Sequence, residues 1–322
     1  DSNKIKQINN IASHRGPDAE GYYIKRNFAF GHRRLAIIDL SPAGHQPMIN
    51  AGNRYLLSYN GEVYNFRELR IELEAKGYCF RSKTDSEVVL NALVEWGHKA
   101  LDKFNGMFAL AFWDRMERTL LLARDRYGIK PLYIGWQGNT FAFGSEQKAI
   151  LAIPGFQRKI NREALLEYFT FQNIFTDRTL LTDIQLLQPG HYATLDFKNA
   201  DPKLRYTKYW DYNFCEPTDR VNDEEYREEL DRLFKQAVNR QLVTDVDLGS
   251  YLSGGMDSGA ITAVAAKSFP YLKTFTCGFD LSSASGIELA FDERTKAEAM
   301  SYHFKTEHYE MVLKAGDMDT AA

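Results

Sequence analysis

One short stretch constrains this chain more than any other. Ser253-Gly254-Gly255-Met256-Asp257-Ser258 follows a strand-like segment, Leu248 to Leu252, and precedes a helical pattern over Asp257–Lys267. Adjacent glycines let the backbone turn sharply and present N–H groups to an anion, and the positive end of the following helix adds to the attraction. Ser253 and Ser258 add hydroxyl donors suited to phosphate oxygens. A carboxylate at Asp257 disfavours bare phosphate, so it fits a site where Mg²⁺ sits between it and the phosphates. The lysine and the longer spacing of the Gly-x-x-x-x-Gly-Lys-Ser/Thr loop are missing. A βα turn whose glycines serve geometry alone is the competing reading.

Strand, loop, helix is also how the surrounding segment reads. Asn222 caps a helix with Glu225 three positions on, and Tyr226, Leu230, Leu233, Phe234, Ala237, Val238 and Leu242 follow helical spacing. Beyond the loop come a strand over Leu272–Phe279, a helix over Asp292–Phe304 and a strand over His308–Val312. Strands alternating with helices predict a parallel α/β sheet over residues 222–322, and that sheet reads as incomplete at its C-terminal end. Residues 201–221 are polar, with Pro202 and Pro217, and read as a linker.

The first 200 residues have a different texture. Tyr22–Ile24, Phe28–Phe30, Leu35–Ile38 and Tyr55–Tyr59 read as short strands, the last ending at the turn signal Asn60-Gly61. Helices are expected over Phe66–Lys76 and Ser86–Trp96, then strands over Met107–Trp113, Leu120–Ala123, Leu132–Ile134 and Phe141–Phe143. Many antiparallel strands with few helices predict an α+β layered domain. A total of 322 residues suits about two domains. Forty basic against forty-three acidic residues give no global attraction to nucleic acid or anionic membrane. The longest apolar run, Met107–Trp113, is far short of the ~20 residues a membrane helix needs. Cys79, Cys215 and Cys277 lie too far apart for a zinc site or disulfide framework, which points to a reducing, cytoplasmic setting. The seven histidines have no metal-ligand spacing, and none is assigned to catalysis.

Ordered strings in the first domain go further. They include His14-Arg15-Gly16-Pro17-Asp18, Arg34-Leu35-Ala36-Ile37-Ile38-Asp39, Asn60-Gly61-Glu62-Val63-Tyr64-Asn65, Thr84-Asp85-Ser86-Glu87, Gly106-Met107-Phe108-Ala109, Ala123 through Tyr133 and Gly144-Ser145-Glu146. In this order they resemble the class II glutamine amidotransferase domain of the glutamine-hydrolysing asparagine synthetase family. The loop at Ser253–Ser258 resembles the signature of the pyrophosphate-loop ATP pyrophosphatases. The likeness runs from about Ile11 to His308.

The resemblance implies an Ntn-hydrolase-like αββα sandwich over residues 1–200, followed by a nucleotide-binding α/β domain. It implies a glutamine site made by Arg34, Leu35, Ala36, Ile37, Ile38, Asn60, Gly61, Glu62 and Asp85. Arg34 suits the α-carboxylate of glutamine and Asp85 its α-ammonium, although a surface ion pair and a helix cap are the plainer readings. Asn60 and Gly61 would form an oxyanion hole, a contact worth ~3–4 kcal/mol in measured cases. ATP with Mg²⁺ would engage Leu252, Ser253, Gly254, Gly255, Asp257, Ser258, Cys277 and Gly278, with Cys277 as a small apolar wall, Asp257 holding the metal, and no organic cofactor. Arg124 and Asp125 are expected as a structural ion pair, Gly16-Pro17-Asp18 as turn architecture, and Glu146 either at the second domain or in a buried polar network.

The family nucleophile is a cysteine at the mature N-terminus, whereas this sequence begins at Asp1 and has no cysteine before Cys79. A preceding segment bearing that cysteine is expected; loss of glutaminase chemistry is the alternative. The family's later Ser-Gly-Glu-Gly-Ser-Asp-Glu loop is likewise not in this sequence. The expected activity is amidation of a carboxylate, aspartate first, by ammonia from glutamine. The alternatives are a sugar, peptide or lipid-linked acceptor, a β-lactam-synthetase-like ligase without glutaminase activity, and a non-catalytic scaffold. A homodimer is compatible with this reading.

Overall fold

The computed structural model describes residues 2–199, 201–216, 222–280, 292–314 and 317. The chain divides into two compact units, Asp1–Cys215 and Glu216–Ala322.

In chain order the first unit contains α1 (Ser2–Ile11), β1 (Ala19–Lys25), β2 (Phe28–Arg34), β3 (Met48–Ile49), β4 (Tyr55–Val63), α2 (Phe66–Ala75), α3 (Asp85–Trp96) and α4 (Ala100–Lys103). It continues through β5 (Gly106–Asp114), β6 (Thr119–Arg124), β7 (Tyr133–Gln137), β8 (Thr140–Gly144), α5 (Gln147–Leu151), α6 (Arg162–Phe171), β9 (Ile184–Leu186), β10 (His191–Asp196) and β11 (Arg205–Lys208). A six-stranded antiparallel sheet has the order β11-β10-β6-β5-β4-β3. Facing it are the hairpin β1-β2 and the three-stranded sheet β8-β7-β9.

The core between these sheets follows from strand alternation. Ala109, Ala111 and Trp113 of β5 and Leu120 and Leu122 of β6 point inward to meet Phe30 of β2, Ile134 of β7 and Ala193 and Leu195 of β10. Phe28 stacks on Trp113 with ring centroids 4.5 Å apart, and Phe30 meets Phe143 edge-on at 5.1 Å. On the outer face of the large sheet α3 packs against β4 and α2, with Val88, Val89 and Leu93 buried. On the other side α1 packs on β2 and α5, and α5 on β8. The layers are helix, sheet, sheet, helix, which is the αββα sandwich that the resemblance implied.

Local expectation and structure part in three places. Asn60-Gly61 is not a turn: β4 runs straight through it to Val63, paired with β5. Leu35–Ile38 is a loop rather than a strand, its Ala36 N–H donating to the Asp18 carboxylate at 2.8 Å and Asp39 adopting φ 56°. Arg205–Lys208, inside the stretch read as linker, forms the edge strand β11 of the first unit.

The second unit contains α7 (Asp223–Gln241), β12 (Gly249–Tyr251), α8 (Met256–Ser268), β13 (Lys273–Phe279), α9 (Arg294–Phe304) and β14 (Glu307–Leu313). Its sheet has the order β12-β13-β14 and both pairings are parallel, as the alternation of strands and helices predicts. Asn222 caps α7 by accepting the Glu224 N–H at 3.2 Å. The apolar stripe of α7 is only partly covered: Val238 is buried, while Tyr226, Leu230 and Leu233 are exposed. Among the described residues no helix is long and apolar enough to cross a membrane.

Candidate functional site

The first unit encloses a cavity of about 570 Å³. One wall is the inward face of β2 with its following loop, carrying His32, Arg34, Leu35, Ile37 and Ile38. A second is β4, with Ser58, Asn60, Gly61 and Glu62; the start of α3 adds Thr84, Asp85 and Ser86. His14, Arg15 and Glu146 also line it. Of the residues expected to bind glutamine, Ala36 alone is not on the cavity wall.

Arg34 is buried, and its guanidinium donates to the carbonyl oxygens of Ser41 (2.9 Å), Ile38 (3.3 Å) and Asp39. It therefore holds its loop in place while setting a positive charge at the wall, rather than projecting as an unattached fork. Gly44 makes this possible: a Cβ there would lie 2.1 Å from an Arg34 guanidinium nitrogen. Gly61 has a similar steric reason to be glycine, since a Cβ would fall 2.1 Å from the Met107 carbonyl oxygen across the β4–β5 ladder.

Asp85 opens α3, and Thr84 caps that helix by accepting the Glu87 N–H. The Asp85 Oδ2 accepts the Tyr59 hydroxyl at 2.7 Å and the Val63 N–H at 3.0 Å. Burial pushes this carboxyl above the usual aspartate value, against the pull of bonds from Tyr59, Val63 and Ser86. Glu62 is also raised, first by burial and then by the charge of Asp85, with Lys130 opposing. His32 is lowered to about 4 by burial, with the nearby Arg34 charge acting in the same direction. The cavity is therefore lined by the cationic side chains Arg15, Arg33, Arg34 and Lys130 and by two carboxyl groups, Glu62 and Asp85, whose charged forms burial disfavours.

At the rim, Glu146 pairs with His14 at 2.7 Å and Arg15 at 3.2 Å. This is the polar-network reading of Glu146, made within the first unit. Arg124 and Asp125 do not form the expected ion pair. Arg124 donates to the carbonyls of Gly128, Lys130 and Leu187, and Asp125 accepts the N–H groups of Phe108, Tyr127, Ile129 and Lys130. Adjacent side chains at a strand end point to opposite sides, so each scaffolds its own stretch of backbone.

In the second unit Gly254 takes φ 77°, and Gly255 is the N-cap of α8. The hydroxyls of Ser253 and Ser258 lie 3.0 Å apart and bond each other as well as the loop backbone, closing the turn on itself. Asp257 is exposed in the first turn of α8. Leu252 is fully buried, its N–H bonded to the Phe275 carbonyl at 2.9 Å. Cys277 lies on the exposed face of β13, while Gly278 lies on the buried face against Arg294. Among the described residues there is no group of three or more His, Cys, Asp or Glu side chains able to hold a metal.

Residues 1–210 match the family model described as the glutamine amidotransferase domain. The chain belongs to that family. Residues 229–321 match a second model, asparagine synthase, so the amidotransferase domain is followed by a synthase segment. The chain is 38% identical over 286 residues to glutamine-hydrolysing asparagine synthetase 1 of Bacillus subtilis strain 168, covering 89% of this chain and 44% of that protein. Asparagine synthetase 3 of the same strain is 36% identical over 325 residues, covering 98% of this chain and 52% of that protein. The chain thus spans about half the length of these curated relatives. A solved glutamine phosphoribosylpyrophosphate amidotransferase from B. subtilis aligns over 74% of this chain and 49% of that one, with TM-score 0.42 and 18% identity.

Within this amidotransferase domain the cavity also contains residues that no motif announced. His32, Ser58 and Tyr59 line it, and Gln46 brackets Tyr59 by bonding both its N–H (2.7 Å) and its carbonyl (2.9 Å). The available signal was alternation. Phe28, Phe30, His32 and Arg34 fall on one strand face, so a histidine between core phenylalanines and a site arginine must face inward.

Proposed function

We propose that the protein is an ATP-dependent, glutamine-hydrolysing amidotransferase of the asparagine synthetase type, with aspartate as the acceptor. The observation that supports it best is the convergence of Arg34, Asn60, Glu62 and Asp85 on one cavity, in a chain that also carries the Ser253–Ser258 loop. In the first unit, Arg34 attracts the α-carboxylate of glutamine. Asp85, costly to ionise when alone, gains its counter-charge from the α-ammonium. Asn60 and Gly61 stabilise the oxyanion as the side-chain amide is attacked. None of Cys79, Cys215 and Cys277 lines the cavity, so none is assigned as the attacking thiol.

In the second unit, the N–H groups of the loop and the start of α8 receive ATP phosphates. A single exposed carboxylate suits Mg²⁺, which typically takes one or two carboxylates and draws its other oxygens from phosphates and water. Asp257 would hold it, and the ion would neutralise phosphate charge. An oxygen of the acceptor carboxylate attacks the α-phosphorus and pyrophosphate leaves. Ammonia then attacks the acyl carbon and AMP leaves. The three free, exposed cysteines suit a reducing compartment such as the cytoplasm.

The test measures glutamate, AMP, pyrophosphate and asparagine made by the full-length protein, with glutamine or ammonium as nitrogen source. Asn60→Ala should suppress the glutamine-dependent reaction and spare the ammonium-dependent one. Intact ATP use without glutamate release would instead support a ligase lacking glutaminase chemistry, and ATP use indifferent to aspartate would point to another acceptor.

A further inference from the structure

The dry core of the first unit and its polar cavity are continuous along two facing strands, and one hydrogen bond stands at their junction. On β2, alternate residues Phe28, Phe30, His32 and Arg34 share a face; on β4, Leu56, Ser58, Asn60 and Glu62 do. Phe28, Phe30 and Leu56 belong to the core between the sheets, whereas the polar members of both series line the cavity. His32 Nδ1 and Ser58 Oγ are 3.3 Å apart. The two strands belong to different sheets, so no ladder of backbone hydrogen bonds sets their spacing. The His32–Ser58 bond therefore crosses between sheets one pleat before Arg34 on one strand and one pleat before Asn60 on the other.

We propose that His32 is a positioning residue for glutamine hydrolysis, which through Ser58 fixes the distance between the Arg34 charge and the Asn60 amide. The inference rests on the reading that Arg34 anchors glutamine and Asn60 stabilises its oxyanion. Arg34 keeps its place without His32, because loop carbonyls hold its guanidinium. The His32 backbone is also anchored independently, its carbonyl accepting the Asn9 side-chain N–H at 3.1 Å. Breaking the His32–Ser58 bond thus lets the spacing between β2 and β4 relax, shifting Asn60 relative to Arg34, while leaving the carboxylate anchor in place. That arrangement weakens the transition state more than ground-state binding, so kcat falls and KM holds. Burial keeps the imidazole neutral, which adds no second charge beside Arg34.

The experiment uses the full-length protein and the variants His32→Leu, His32→Asn and Ser58→Ala. Glutamate release gives kcat and KM for glutamine, and ammonium-dependent product formation reports on the second unit. A misplacement of about an ångström can cost ~100-fold. His32→Leu should accordingly lower kcat by about 10- to 100-fold with KM within about threefold, and ammonium-dependent activity should be unchanged. His32→Asn places an amide near the Nδ1 position and should recover kcat to within about threefold of wild type. Ser58→Ala should match His32→Leu, and the double variant should be no worse than either single one. An unchanged kcat in His32→Leu, equal damage in His32→Leu and His32→Asn, or additive losses in the double variant would each overturn the inference. Should His32→Leu fail to fold, Ser58→Ala and His32→Asn still decide it. Wild-type protein that releases no glutamate would sink the functional reading and this inference with it, an outcome distinct from an active wild type with an indifferent His32→Leu.

Discussion

The Tyr59 hydroxyl donates to the Asp85 carboxylate at 2.7 Å, from the face of β4 opposite the one that carries Asn60. A single strand thereby supports both ends of the proposed substrate, the oxyanion through one face and the ammonium through the other. The cost is a carboxylate held in a dry place.

That cost should be measurable as pH-dependent stability. Because burial raises the folded Asp85 above 3.8, the folded state keeps its proton in a window where the unfolded chain has lost it. The contribution is most favourable below about pH 4 and is lost as pH rises through the folded value. Asp85→Asn should then be more stable than wild type at pH 7, by about 1 kcal/mol or ~2–4 °C in Tm, with the difference vanishing near pH 4. Thermal melts at the two pH values check it. The same variant should raise KM for glutamine at least about tenfold, since a neutral amide offers no charge to the ammonium.

His32 carries the opposite sign. Its folded value of about 4 lies below the ordinary 6.5, so between these values the unfolded chain takes up a proton that the folded one refuses. Stability from this group is complete above pH 6.5 and falls by about 3 kcal/mol as pH drops to 4. His32→Asn should flatten that acid-side slope in urea titrations, and an unchanged slope would show that His32 is not the group responsible.

Gly61→Ala should be severe although it adds a single methyl. The new carbon would lie 2.1 Å from the Met107 carbonyl oxygen and 2.7 Å from the Phe108 Cα, both backbone atoms of the paired strand. Separating β4 from β5 should cost about 3 kcal/mol, read as a lower midpoint in urea unfolding of the first unit. A midpoint within the error of wild type would mean that the ladder yields easily.

Gly254→Ala should separate the two halves of the reaction. Its φ of 77° disfavours any side chain, and a Cβ would meet the Lys296 Cβ at 2.7 Å. ATP-dependent steps should fall by at least about tenfold while glutamate release from glutamine persists. Parallel loss of both activities would show that the first unit depends on the loop's integrity.

Much of this was legible in the sequence because it is periodic or local. The parallel sheet of the second unit, the N-cap at Asn222 and the helix read over Ser86–Trp96 are set by spacing and by side chains acting within a few residues, although Thr84 rather than Asp85 caps that helix. Misreadings arose where a tertiary neighbour decides. Asn60-Gly61 looks like a turn from inside the chain, yet its glycine answers to Met107, distant in sequence. Arg124 beside Asp125 looks like an ion pair, yet Leu187, far along the chain, supplies one of the carbonyls that claim the guanidinium. Alternation alone turns His32 inward, but its partner Ser58 lies on a strand of the other sheet, which nothing local to β2 announces.

The strand order of the large sheet has a consequence for how the protein is made. β3, β4, β5 and β6 pair in the order in which they are synthesised, but β6 gains its other neighbour only from β10, residues 191–196. Until Ala193 and Leu195 arrive, the growing chain has Leu120 and Leu122 without their final cover and an open β6 edge, the type of surface that invites strand addition from another nascent chain. The amidotransferase unit therefore closes only once residues 191–196 have been made, so a pause in synthesis just before His191 is the point where aggregation risk is concentrated.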